Sequence, residues 1–164
     1  QLEQWFESRN LSPTLERVEQ LMGLPSETGK TRFVEMWVDP ADLFRPSPDP
    51  EISDSESELD YPSGAGTTVE QFYKDWFEYT KANQYSDSAP YPWTRLGYTY
   101  DWGDQYNHVG LSEFVIAVNI IDADNKPWVG INKVYTNEEF FQTVHTASGS
   151  SDFSDNCFIN SLHR

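Results

Sequence analysis

The core of this chain has to be built from aromatic side chains. Its 164 residues include 6 Trp, 9 Tyr and 10 Phe, which are 15% of the chain inside a hydrophobic fraction of 37%. Aromatic residues bring large apolar areas, and the polar tips of Tyr and Trp need partners once buried. A chain of this length makes one domain, 1–164, that buries about two-thirds of its unfolded surface. The formal net charge of −16 repels phosphate backbones, which excludes broad nucleic-acid binding and favours a basic partner or divalent cations. Cys157 is the single cysteine, so no internal disulfide forms, and no apolar run is long enough for a membrane span. A first residue of Gln without Met leads to the expectation of a processed, secreted or extracytoplasmic protein.

Local patterns predict an α+β fold, with N-terminal helices and a central aromatic helix around a small, mostly antiparallel sheet. Leu2, Trp5 and Phe6 share one helical face. Ser12 and Pro13 read as N-cap and first helical residue of a second helix that Gly23 stops. Gly29-Lys30-Thr31 is not a phosphate loop, because Gly23 lies six residues before Gly29 where that motif requires five. Phe33–Val38 is a strand ended by Asp39-Pro40. Residues 46–66 are rich in Pro and acid, an exposed loop in which like charges resist compaction. Thr68 and Gln71 suggest a capping box, followed by a helical stripe of Val69, Phe72, Tyr73, Trp76 and Phe77. Leu96–Tyr100 suggests a short strand, and Glu113–Ile121 a longer one. Asp122–Lys126 reads as a turn, and Trp128–Tyr135 as the hairpin partner of Glu113–Ile121. Thr136 and Glu139 cap a last helix, and residues 147–156 read as a flexible loop.

The passage from Ala89 to Ile116 is both aromatic and polar, which suits a binding cleft better than a core strand or a linker. It carries Trp93, Arg95, Tyr98, Thr99, Tyr100, Trp102 and His108, and it ends at Glu113 before Phe-Val-Ile. Several alternatives fall away on spacing. Asp122–Asn125 lacks the glycine and glutamate that close a calcium loop. His108, His145 and His163 are too scattered for a zinc site, so no metal is predicted. Gly110-Leu-Ser112 is not a nucleophile elbow. Arg45 and Glu113 remain, each a charge in an apolar frame. They are candidate catalytic groups, with an ordinary rim salt bridge as the plainer alternative.

Asp42-Leu-Phe-Arg45-Pro, Gly97-Tyr-Thr99-Tyr100 and Ser112-Glu113-Phe-Val-Ile116 together resemble the three motif regions of ADP-ribosyltransferase toxins. The aromatic passage also resembles bacterial secreted or toxin-associated domains. The resemblance implies NAD as substrate, with ADP-ribosyl transfer or glycosidic hydrolysis as the reaction. Arg45 would then bind the ribose or phosphate side, Thr99 would brace the cleft, and Tyr98 or Tyr100 would stack on nicotinamide. Glu113 would stabilise the oxocarbenium-like centre. Two other expectations stand beside it. One is an acidic, immunity-type protein that masks a basic partner. The other is a secreted domain that binds carbohydrate or peptide through its Tyr/Trp cluster.

Overall fold

Two short helices open the chain, α1 (Leu2–Ser8) and α2 (Leu15–Leu21), in a computed structural model that describes residues 2–26, 28–63, 69–84, 91–117 and 127–147. The N-cap of α2 is Thr14, and this corrects the expected Ser12-Pro13 start. Thr14 is extended and its hydroxyl accepts the Arg17 N–H at 3.2 Å, while Pro13 is buried one residue earlier as a packing group. Gly23 ends the helix at φ +65 and lies so close to the Tyr100 backbone that a Cβ would come within 3.1 Å of its carbonyl oxygen.

Strand β1 (Arg32–Val38) runs antiparallel to β6 (Val129–Thr136), with Phe33 opposite Tyr135 and a bulge between Glu35 and Met36. Within the described residues the expected hairpin between Glu113–Ile121 and Trp128–Tyr135 is corrected, because Val115 and Ile116 pair with Phe44 and Leu43 and β6 pairs with β1. β6 runs directly into α4 (Asn137–Ala147), and pairing with β1 stacks Phe140 of that helix on Phe33, centroids 4.1 Å apart. The junction is a reciprocal capping box: the Thr136 hydroxyl accepts the Glu139 N–H at 3.1 Å, and the Glu139 carboxylate accepts the Thr136 N–H at 2.7 Å.

The remaining strands form two more short antiparallel ladders where one small sheet was expected. β2 (Leu43–Phe44) pairs with β5 (Val115–Ile116), and β3 (Tyr98–Tyr100) pairs with β4 (Val109–Ser112). Together with the four α-helices of the described residues they make an α+β domain. The cap at Thr68, the strand residues 118–121, the turn at 122–126, the tail from 148 on, Cys157 and His163 lie outside the described residues.

Two aromatic-rich cores result. Leu2, Phe6, Val18, Leu21, Phe33, Phe140 and Val144 form the first. The second gathers Phe44, Val69, Ala117 and, from helix α3 (Gln71–Gln84), Tyr73 and Phe77, with Trp76 and Trp93 packed on its flank. The acidic loop divides at this second core, which corrects its description as uniformly exposed. Ser53–Glu56 face solvent, but Pro46, Ser47 and Pro48 are buried. The Tyr73 hydroxyl reaches the carbonyls of Arg45 and Ser47 at 2.8 and 2.6 Å, so buried backbone acceptors find a donor and the first loop turn becomes core. No helix among the described residues is long and apolar enough to cross a membrane.

Candidate functional site

A cavity of about 260 Å³ lies where the two cores meet. Met22, Gly23 and Leu24 line it from the end of α2, and Trp76, Thr80 and Gln84 from α3. Tyr91, Pro92 and Trp93 close another side, with Thr99 and Val115 beneath. Among the described residues Glu113 is its one acidic side chain, and no described Lys, Arg or His lines it.

Local geometry brings Glu113 there. Residues 113 and 114 link β4, paired to β3, with β5, paired to β2. The Glu113 N–H donates to the Gly97 carbonyl at 2.8 Å, which fixes the start of the side chain beside Thr99. The residue keeps partial solvent exposure through the cavity mouth, yet its carboxyl group is surrounded by protein. Desolvation raises this carboxyl to about 7, and no neighbouring charge contributes to the shift. At neutral pH the group therefore exists as a mixture of acid and carboxylate, as a proton donor or acceptor requires.

Thr99 has a defined supporting part. Its hydroxyl donates to the Leu21 carbonyl at 2.6 Å and accepts the Leu111 N–H at 2.9 Å. One side chain thus ties the end of α2 to the β3–β4 ladder, across the floor of the cavity. Gly110 makes room for it, since a Cβ there would fall 2.3 Å from the Thr99 hydroxyl oxygen.

The other candidates do not converge with Glu113. Arg45 is buried, but its guanidinium points into the acidic loop and donates to the carbonyls of Asp54 and Glu56. Its stem presses on Gly97, where a Cβ would stand 2.3 Å from Cγ. Among the described residues Arg45 and Glu113 form no ion pair, which corrects the rim salt bridge, and Glu113 lines the cavity while Arg45 is not among its lining residues. The reason is local. The loop after Phe44 turns back over Arg45, and the Asp54 and Glu56 carbonyls accept from its two terminal guanidinium nitrogens.

Trp93 lines the cavity with its ring centroid 5.2 Å from Phe77. Tyr98 is half-buried on β3, and its carbonyl accepts the Thr94 hydroxyl. Tyr100 stacks on His108, centroids 4.7 Å apart, away from the cavity. Trp102 donates its indole N–H to the Leu24 carbonyl at 2.8 Å, in the segment that follows α2. Nδ1 of His108 lies 2.8 Å from the Asp101 carbonyl and helps close the β3–β4 turn. Arg95, at φ +63, lines a separate cavity of about 220 Å³ with Tyr61, Glu78 and Lys81.

Of the candidate residues in the aromatic passage, three line the cavity, Trp93, Thr99 and Glu113, and the others belong to the scaffold or to other surfaces. Sequence reasoning missed Trp76, Thr80, Gln84 and Tyr91. The first three carried a legible signal, because spacing by four places them on one stripe of α3. Among the described residues no group of three or more His, Cys, Asp or Glu converges as metal ligands. No protein-family model, curated protein or solved structure matches this chain.

Proposed function

We propose that the Glu113 cavity binds a small organic molecule and that Glu113 supplies its acid–base and electrostatic chemistry. The supporting observation is a carboxyl, the only acid among the described lining residues, raised to about 7 by burial inside an aromatic wall. The reaction that suits these groups is cleavage of a glycosidic bond to a ring leaving group, as in a toxin-like enzyme acting on NAD. The ring would rest against Trp76 and Trp93, and the Glu113 carboxylate would stabilise positive charge developing on the ribose. Arg45 would hold the acidic loop and leave the diphosphate outside the cavity walls. Incubation with NAD is expected to release nicotinamide, and Glu113→Gln to reduce that release about 100-fold or more. Absence of release at high protein concentration overturns the NAD assignment.

A second function, masking a basic partner, is favoured by one feature of the surface. Trp37, Trp128 and Ile131 are 47, 66 and 67% exposed on the β1–β6 ribbon of a protein with net charge −16. It predicts salt-sensitive capture of a basic protein, weakened by Trp37→Ser and Trp128→Ser. Capture unchanged by both substitutions overturns it.

A further inference from the structure

We infer that the Glu113 cavity selects a small organic cation with an apolar body over a neutral or anionic molecule of the same shape. The inference rests on the cavity being a ligand site and not on NAD being its substrate.

The lining carries the case. Among the described residues Glu113 is the single acidic group in the wall, and Tyr91 is the only other titratable one. Among the described residues no Lys, Arg or His lines the space, so an anion entering it would meet a carboxyl with no described counter-charge in the wall, within a field set by −16 charges. The nearby cation Arg45 is committed elsewhere. Its stem lies across Gly97, and its guanidinium is bound to the carbonyls of Asp54 and Glu56. No side-chain donor among the described residues hydrogen-bonds the Glu113 carboxylate. Once ionised it is a desolvated charge whose partner has to come from outside, and a neutral molecule cannot supply one.

Aromatic walls add to the same preference. Trp76 and Trp93 meet at 77° with centroids 6.4 Å apart, and both line the cavity with Tyr91. Electron-rich ring faces attract organic cations, most strongly where water is excluded. A volume of about 260 Å³ accommodates a single substituted ring. An ammonium or pyridinium-type cation would place its charge beside Glu113 and its apolar body against the two indoles.

A matched pair of molecules tests this. (3-Hydroxyphenyl)trimethylammonium and 3-tert-butylphenol share one shape and differ in a quaternary nitrogen against a quaternary carbon, and benzoate serves as the anion. Titration calorimetry on the whole chain at about pH 8 is expected to show the cation bound about tenfold or more tighter than the phenol, with benzoate unbound. That advantage should shrink by about pH 5.5, where Glu113 holds its proton, and binding near neutral pH should release a proton. Glu113→Gln should abolish both the advantage and the proton release.

Equal affinity for cation and phenol overturns the cation preference but leaves the cavity as a ligand site. A preference that persists in Glu113→Gln places the cation on the general acidic surface and overturns it too. Binding of neither molecule removes the ligand site as well. Cation binding without nicotinamide release refutes only the NAD chemistry.

Discussion

Replacing Glu113 by Gln keeps the side chain's shape and removes its titration, which makes stability against pH a direct measure of the cavity's isolation. Burial raises the folded-state carboxyl from an ordinary 4.5 to about 7. Below about pH 4.5 the group is protonated in both folded and unfolded chains, and folding carries no charge cost. As pH rises further, the unfolded chain ionises first, so stability falls until the folded carboxyl also ionises near 7. Above that the loss is complete and constant. At 1.36 kcal/mol per pH unit the full effect is about 3 kcal/mol, and solvent reaching the group through the cavity mouth brings it to about 2–3 kcal/mol. Urea denaturation of wild type and Glu113→Gln at intervals from about pH 4 to 8 gives two stability curves, and their difference isolates this one group. The variant is expected to gain about 2–3 kcal/mol on the wild type between the acid and alkaline ends. A difference curve flat within about 0.5 kcal/mol, or one of opposite slope, refutes the desolvated carboxyl.

The ion pair beneath the β3–β4 turn is expected to matter more than a surface contact. Both Asp101 oxygens accept from Arg17, at 2.8 and 2.6 Å, and Asp101 is 1% exposed. Arg17→Ala strands that carboxylate, and partial exposure of Arg17 limits the cost to about 2–4 kcal/mol. A double-mutant cycle with Asp101→Ala should show coupling above about 1 kcal/mol, and additive effects would contradict the pairing. Thr99→Val leaves the Leu21 carbonyl and the Leu111 N–H without their side-chain partner, so thermal denaturation should report a loss of about 2 kcal/mol or more. A change below about 0.5 kcal/mol would mean that water replaces the hydroxyl.

Features resting on neighbouring residues were legible in the chain itself. The Thr136–Glu139 box, the Gly23 helix stop, the β-rich run at Phe33–Val38 and the aromatic stripe of α3 all follow from contacts within a few positions. So did the α+β class, since it depends on these local periodicities. Where local signals compete, the choice passed to packing. Ser12-Pro13 and Thr14 both offer a helix start, and burial of Pro13 decided for Thr14.

Glu113 stood out in the sequence as a charge in an apolar frame, but its neighbours there gave no account of its proton affinity. That affinity comes from desolvation by α2, α3, the segment before β3 and the Pro46 turn, stretches far apart in the chain. The same frame around Arg45 suggested a second catalytic charge. Tertiary structure gave it another part, because a buried guanidinium needs acceptors, and carbonyls of the acidic loop accept from both of its terminal nitrogens. Composition and periodicity thus determined which elements form and that aromatic rings would fill the core. Only the folded chain decided which strand β6 joins, which charge is left alone in the cavity and which is tied down, since burial and pairing depend on residues brought together across the whole sequence.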